Sequence, residues 1–239
     1  MHLPDGFTDP KISAGLAGAA ATVLGICIVK VKQLLSKKVP KLVEAMETGV
    51  GNITNSTKSF ISANTSKIFL AGFVGALIFA CQMFNFPIND GTSGHLLGGV
   101  LAATLLGPYL GIITMSVILI VQSLFFADGG FLVLGVNIFN MALVGCGLGY
   151  LIFFLLNKYL PFKKLNFGIA IFIASWSSVV LASAFCAIEV GLSGKANLQD
   201  TLYAMVSVHS IIGFFEAIIT LILVYMLKLL KIDFGAKNE

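Results

Sequence analysis

Long apolar stretches, separated by short polar or glycine- and proline-containing breaks, dominate the chain from residue 12 to residue 230. A run of about 18 or more apolar residues can cross the roughly 30 Å hydrocarbon core of a bilayer as a helix. The pattern therefore predicts an all-α membrane protein with about seven transmembrane helices. The predicted spans are 12–34, 67–86, 95–107, 109–126, 133–157, 166–190 and 203–230.

The third predicted span is the weakest of the seven. It is too short to cross a bilayer untilted, and it ends at Gly107-Pro108. An alternative is that residues 95–126 form one kinked or re-entrant unit, which would reduce the count to six.

One long polar segment interrupts the apolar pattern, at about residues 35–66. Val39 to Val50 fits a short amphipathic surface helix, and Asn52 to Ser66 is rich in Ser, Thr and Asn and indicates a flexible loop. The remaining polar breaks are short. We therefore expect a single integral membrane domain over residues 1–239, with a polar cytoplasmic loop at about 35–66.

The lysines are distributed unevenly among the connecting segments. With an outer N-terminus and seven crossings, thirteen lysines lie on the cytoplasmic side and only Lys11 and Lys195 lie outside. This positive-inside bias predicts an outer N-terminus and a cytoplasmic C-terminus, provided that the count is odd. His2 would then lie on the outer side of the membrane.

Composition narrows the class of protein further. Hydrophobic residues make up 57% of the chain and charged residues only 11%, against roughly 25% charged residues in soluble domains. The chain has no Arg, which argues against nucleic acid as a partner. It also lacks a Gly-x-x-x-x-Gly-Lys-Ser/Thr phosphate loop, so we expect any ATP hydrolysis to come from other subunits. The four cysteines stand singly in apolar runs, where core packing is the expected role.

The first two residues carry a possible metal chelate. Acidic residues precede the first apolar run, which argues against a secretory signal. Methionine removal normally requires a small second residue, so with histidine at position 2 we expect Met1 to stay in place with a free α-amine. The Met1 amine, the His2 amide and the His2 Nδ1 can bind one metal ion through a five- and a six-membered ring. A fourth nitrogen would complete a square plane, which suits Ni²⁺ or Cu²⁺ better than Zn²⁺. The alternative is a frayed terminus without a role.

His95 is the candidate for the fourth nitrogen. It lies in the glycine-rich stretch 91–99, on the predicted outer side between the second and third spans. Glycines allow close backbone approach, so this stretch indicates a loop that folds into the protein and presents one imidazole. The alternative is an interfacial histidine at a helix start.

A second group of polar residues lies along otherwise apolar spans. Exposure to hydrocarbon would be unfavourable, so we expect these side chains to face the interior. They can either form interhelical hydrogen bonds or orient the metal ligands. The group comprises Gln82, Asn85, Gln122, Asp128, Asn137, Asn140, His209 and Glu216.

Five segments together resemble the CbiM/NikM substrate-capture subunits of cobalt and nickel importers. They are Met1–Phe7, Gly91–Gly99, Gln122–Gly130, Gly135–Met141 and His209–Ala217. They occur in the family's order and span nearly the whole chain. Leu3 and Thr8 depart from the family's more frequent isoleucine and leucine, and the loop at 35–66 is long.

The resemblance implies an N-terminal helix added to a six-helix substrate-component fold in a prokaryotic plasma membrane. It implies a metal held by the amino terminus, His2 and His95, with no permanently bound cofactor and with Ni²⁺ favoured over Co²⁺. It also implies three kinds of partner: a transmembrane coupling component, two ATPase subunits and a small accessory membrane subunit. The residues expected around the ligands are Asp5, Ser93, Gln122, Asp128, Asn137, Asn140, His209 and Glu216.

Two other functions stay open at the level of sequence. One is a stand-alone metal channel or secondary transporter. The other is an intramembrane enzyme that uses His209, Glu216 and Asp128, although the chain has no His-Glu-x-x-His motif. We expect a non-catalytic transporter subunit.

Overall fold

The computed structural model describes residues 1–36, 67–84, 86–88, 93–161 and 165–230. Within them the chain is almost entirely helical. The helices are α1 (Pro10–Ser36), α2 (described part Lys67–Gln82), α3 (Gly99–Leu106), α4 (Pro108–Phe125), α5 (Leu134–Tyr159), α6 (Asn166–Leu192) and α7 (Leu198–Leu229). The surface helix expected at Val39–Val50, the loop at 52–66 and Asn85 lie outside the described residues.

Five of these helices are long and apolar enough to cross a membrane, namely α1, α4, α5, α6 and α7. The chain is therefore a multi-pass membrane protein, as the hydrophobic pattern predicted. Each of the seven predicted spans overlaps one helix, with boundaries that differ by a few residues. The number of crossings and the orientation stay predictions, because α2 and α3 are shorter than a full span.

Residues 95–126 form a hairpin of one short and one long helix. Gly107, with φ of +80°, separates α3 from α4, and Pro108 occupies the first turn of α4, where its missing N–H leaves no backbone acceptor unsatisfied. A Cβ on Gly111 would lie 3.1 Å from the Cα of Ala103, so the two helices touch backbone to backbone. The choice between two crossings and a single kinked or re-entrant unit stays a prediction.

The ends of α2 and α4 meet the segment that precedes α3. The side chain of Gln122 donates to Gln82 Oε1 at 3.0 Å, and Gln82 Nε2 donates to the carbonyl of Leu97 at 2.7 Å. The C-terminal ends of α2 and α4 therefore lie beside the start of α3. The chain passes from this end along α3 to the opposite end before α4 returns.

Two helix contacts, of α5 with α3 and of α6 with α7, show how close packing organises the rest of the bundle. The middle of α5, Phe139–Leu148, is π-helical and contains Gly145, whose backbone lies against Gly99 at the start of α3. Helices α6 and α7 form the most extensive helix pair, joined by a hydrogen bond from Trp176 Nε1 to the carbonyl of Ser210 at 3.0 Å. Together these helices contribute much of the buried core.

Helix α1 lies at the edge of the bundle. It packs on α4 and on the beginning of α5, where Gly135 approaches the backbone of Ala17 too closely for any side chain. The Asp9 side chain accepts the backbone N–H of Lys11 at 2.8 Å and so caps the helix start. The cap fixes the start of α1, and residues 1–9 precede it.

A two-residue antiparallel strand pair precedes α3. Strand β1 (Phe86–Pro87) pairs with strand β2 (Ser93–Gly94), with Phe86 opposite Gly94. The pairing brings the chain back towards the helix ends and leads into residues 95–98. These residues carry His95.

Candidate metal-binding site

The amino terminus lies inside the protein. Met1 and Leu3 are fully buried and His2 is 4% exposed. The backbone of Leu3 is held on both sides: its N–H donates to Asn137 Oδ1 at 2.9 Å, and its carbonyl accepts from the Gly130 N–H at 2.8 Å. The alternative of a frayed, exposed terminus is therefore wrong for this structure.

A tight turn and a side-chain clamp lead the first residues into that position. Gly6 has φ of +85°, which permits the turn closed by the Phe7 N–H and the Pro4 carbonyl at 3.4 Å. Asp5 Oδ1 accepts the backbone N–H of Leu132 at 2.8 Å. A Cβ on Gly130 would lie only 2.3 Å from the backbone nitrogen of Asp5, so this contact requires glycine.

The imidazoles of His2 and His95 are stacked. Their ring centroids lie 4.6 Å apart with an angle of 26° between the planes. His95 is 1% exposed, and its Nδ1 donates to the carbonyl of Leu96 at 2.8 Å, because a carbonyl can only accept. The lone pair of His95 therefore lies on Nε2, which is buried without a hydrogen-bond partner. A metal ion is a suitable partner for such a nitrogen.

Asp128 approaches the His2 ring from the segment between α4 and α5. Its Oδ1 lies 3.2 Å from His2 Nδ1, although the contact lacks hydrogen-bond alignment and both ring nitrogens of His2 remain without a hydrogen-bond partner. A metal that binds through Nδ1 would displace this contact. Asp128 was expected within a span, and the structure places it between two helices.

Burial alters the proton affinity of the terminal groups. It lowers the pKa of the Met1 amine from 8.0 to about 6, while Cys186 and Asp128 act in the opposite direction. It also lowers the pKa of His2, against the opposing effect of Asp128. Burial alone would raise the pKa of Asp128, but His2 and the Met1 amine outweigh it and lower that pKa. Near neutral pH the amine is therefore largely unprotonated and able to bind a metal.

Glu216 and Gln82 hold the His95 segment through the two peptide units that flank Leu97. The two carboxylate oxygens of Glu216 accept the N–H groups of Leu97, at 2.5 Å, and of Gly98, at 2.9 Å. Gln82 donates to the Leu97 carbonyl. Three helices thus fix the backbone next to His95, since Gln82 is itself bound by Gln122.

His209 is fully buried on α7. Its Nδ1 donates to the carbonyl of Met205 at 2.8 Å, and its Nε2 has no hydrogen-bond partner. Electrostatic interactions connect it with the Met1 amine and with His95. The structure therefore brings all three histidines of the chain into one buried region.

The other residues expected around the ligands differ in what they contact. Gln122, Asp128, Asn137 and Glu216 contact the ligand residues or the backbone that carries them, and Asp5 anchors the terminal segment. Asn140 instead donates to Glu189 Oε2 at 2.6 Å. For Ser93 the structure describes the backbone alone, in strand β2.

Sequence reasoning missed two polar groups on α6, Glu189 and Cys186. Glu189 is a buried acid near the C-terminal end of a predicted span, and an acidic residue inside an otherwise apolar run was a sufficient signal to find it. Cys186 was assigned to core packing. Its Sγ lies 3.9 Å from the Met1 carbonyl, so it packs directly beside the terminus.

The donor set at this site is rich in nitrogen. Among the described residues, no three His, Cys, Asp or Glu side chains form a group that could hold a metal ion. A site here would therefore need backbone nitrogen in addition to imidazole. The buried Met1 amine provides one such nitrogen and the adjoining His2 amide another.

Known proteins with sequence similarity are transporters. A family model described as the cobalt uptake substrate-specific transmembrane region, CbiM, matches residues 45–234. An Archaeoglobus fulgidus protein named as a fused nickel transport protein, NikMN, is 36% identical over 92% of this chain. The match covers 63% of that longer protein, so this chain spans less than two thirds of it. A Methanocaldococcus jannaschii protein named as a metal transport protein is 29% identical over 100% of this chain and 96% of its own length.

A solved structure shares the fold. The crystal structure of a truncated transition-metal transporter matches with a TM-score of 0.75 and 30% sequence identity, and the match covers 95% of this chain and 98% of that one. The family model matches from residue 45 onwards, so the match does not include the amino-terminal segment 1–9. The alignment with the Methanocaldococcus jannaschii protein does include that segment.

The bundle of apolar helices makes this chain a multi-pass membrane protein, and the proteins that it resembles are named as metal transporters and not as enzymes. The chain belongs to the CbiM family. The resemblance found in its sequence motifs is thereby confirmed, and the alternative of an intramembrane enzyme is wrong.

Proposed function

We propose that this chain is the substrate-capture subunit of an ATP-driven energy-coupling-factor importer, and that it takes up Ni²⁺ in preference to Co²⁺. The observation that carries the proposal is the burial of the amino terminus, with its amine unprotonated near neutral pH, beside two stacked imidazoles. A nitrogen-rich, water-poor site of this kind binds a late divalent transition metal.

The proposed ligands are the Met1 amine, the His2 amide nitrogen, the His2 Nδ1 and the His95 Nε2. The first three would form adjoining chelate rings on one side of the metal, and His95 Nε2, which has no hydrogen-bond partner, would supply the fourth nitrogen. Four nitrogens near one plane favour Ni²⁺. The metal would displace Asp128 from Nδ1, and Asp128 would stay next to the imidazole without binding the metal itself.

The importer assembly explains how a chain without a phosphate loop can drive uptake. A transmembrane coupling component, two ATPase subunits and a small accessory membrane subunit are the proposed partners. On the described part of α2, Gly72, Ala76 and Ala80 form an exposed line of small residues, so internal packing does not use them. This line is the proposed face for a partner helix.

Metal binding by the purified chain tests the capture role. We expect His95→Ala to abolish high-affinity Ni²⁺ binding in isothermal titration while the protein stays folded and monodisperse in detergent. Thr201→Val is the matched control, because Thr201 is also buried with an unpaired side chain but lies outside the site. Unchanged affinity of the His95 variant would remove His95 from the site.

Uptake assays test the assembly. Cells that produce this chain together with the coupling and ATPase subunits should accumulate Ni²⁺, and cells that produce the chain alone should not. Accumulation by the chain alone would instead establish a stand-alone channel or secondary transporter.

A further inference from the structure

The imidazoles of His209 and His95 have the same hydrogen-bonding pattern. In each case Nδ1 donates to a backbone carbonyl at 2.8 Å, of Met205 for His209 and of Leu96 for His95. In each case Nε2 therefore carries the lone pair, and it is buried without a hydrogen-bond partner. This is the arrangement by which proteins fix the tautomer of a metal-binding imidazole.

The face of α7 that carries His209 is the one that contacts the His95 segment. Ile212, three residues further on, packs against Gly94 so closely that a Cβ there would lie 2.7 Å from its Cδ1. Glu216, seven residues further on, binds the Leu97 and Gly98 N–H groups. Residues three and seven apart share a helix face, so His209 lies one turn from this contact.

A buried nitrogen without a partner is unfavourable, because it loses its hydrogen bond to water and gains nothing in return. An ordinary core histidine would have both ring nitrogens satisfied. His209 has one, and it interacts electrostatically with both the Met1 amine and His95. An imidazole kept in this state next to a metal site is best explained by a ligand that arrives intermittently.

We propose that His95 Nε2 and His209 Nε2 form a transfer site, which holds the divalent metal ion after the amino-terminal nitrogens have released it. The proposal rests on the capture function above and adds a second position for the ion. Since the described residues offer no third side-chain ligand to this pair, water would complete the coordination. Binding there would be weak, as a step between capture and release requires.

The transfer site can be measured in a chain whose primary site has been disabled. One glycine placed before Met1 moves the free amine out of the chelate. We expect this extended chain to bind Ni²⁺ much more weakly than the native chain but measurably, by isothermal titration. We expect His209→Gln in the extended chain to weaken this residual binding about tenfold or more, because an amide nitrogen offers no lone pair. Thr201→Val, on the same helix, is the matched control and should leave the residual binding unchanged.

The native chain provides the second readout. There His209→Gln should change the equilibrium affinity less than about threefold, while Ni²⁺ uptake by the assembled transporter falls about tenfold. Loss of uptake without loss of capture separates a transfer ligand from a residue that only supports the fold. Melting temperature and detergent monodispersity of each variant check folding.

Two results would overturn the transfer site: residual binding that His209→Gln leaves intact, or an extended chain with no residual binding at all. Failure of the capture proposal looks different, because the extended chain would then bind at full strength. In that case the effect of His209→Gln on this binding decides by itself whether His209 is a ligand.

Discussion

Folding changes the chemistry of the Met1 amine. In an exposed terminus it would be mostly protonated at pH 7, but burial lowers its pKa to about 6. Simple reference values suggested that protons would compete for this amine from about pH 8 downwards. The structure moves that competition to lower pH, so capture should work across the neutral range.

The pH dependence of Ni²⁺ affinity tests this shift. The His2 amide releases its proton on binding, which alone weakens the affinity about tenfold per pH unit on acidification. The Met1 amine is already unprotonated above its pKa of about 6 and adds little there. We therefore expect the dissociation constant to rise about tenfold between pH 7.5 and 6.5, and more steeply below pH 6.

Isothermal titration in a series of buffers gives this slope directly. An amine with its ordinary pKa would add nearly another factor of ten between pH 7.5 and 6.5. A rise approaching a hundredfold in that interval would therefore contradict the buried, unprotonated amine.

At the scale of single residues, the sequence predicted the candidate ligands and the residues around them, but not the contacts that these residues make. Three histidines in a long apolar chain are conspicuous, and Met1-His2 has chelate geometry by covalent structure alone. The stacking of His2 on His95 and the Asp128 contact depend on tertiary packing. Glu189 shows the opposite case, since its presence in an apolar span was visible in the sequence and was overlooked.

At the scale of elements, the terminal segment depends on a contact that only glycine permits. Gly130 donates to the Leu3 carbonyl and lies against the Asp5 backbone. We expect Gly130→Ala to displace residues 1–5 and to weaken Ni²⁺ binding about a hundredfold, comparable to a severe loss of ligand orientation. The helical bundle should stay folded, as circular dichroism and thermal melting would show.

Gly18→Ala is the matched control for this substitution. Gly18 lies on α1, where a Cβ would meet nothing within 4 Å. Gly18→Ala should leave Ni²⁺ binding unchanged and slightly stabilise the helix. Equal binding by the two alanine variants would show that the Gly130 contact does not position the amino terminus.

Glu216 connects α7 to the His95 segment, and its removal should misplace His95. In Glu216→Gln one of the two acceptor oxygens becomes an amide donor, which cannot accept from the Leu97 or Gly98 N–H. We expect Ni²⁺ affinity to fall about 10–100-fold, less than in His95→Ala. Titration of the two variants side by side makes the comparison.

Glu189→Gln controls for the loss of a buried acid. Glu189 binds Asn140 and does not contact the His95 segment, and a glutamine can still accept that hydrogen bond. The Ni²⁺ affinity of the Glu189→Gln variant should stay within a few-fold of the native value. A loss in Glu216→Gln as complete as that in His95→Ala would indicate that Glu216 binds the metal directly.

The hydrophobic pattern predicted the helices well because a bilayer requires long apolar segments with internally satisfied backbones. It could not decide the form of residues 95–126. An eight-residue helix is about 12 Å long and cannot cross a bilayer alone. Its role depends on Gly107, Gly111 and the hydrogen bonds at the start of α3, which no periodicity encodes.

At the scale of the whole molecule, capture and energy supply belong to different chains in the proposed assembly. The buried terminus and its two imidazoles lie at the end of the bundle where α2 and α4 finish and α3 begins. The lysine distribution predicts that this end faces outwards. The lysine-rich ends of the helices would then face the cytoplasm and the ATPase subunits.

The central claim is that the amino-terminal amine itself binds the metal. Isothermal titration of Ni²⁺ into three forms of the chain tests it: native, extended by one residue before Met1, and tagged at the C-terminus. Every side chain is retained in all three forms, so only the terminal amine differs at the site. The account predicts native affinity for the C-tagged form and a loss of at least about a hundredfold for the N-extended form. Native affinity in the N-extended form would contradict it.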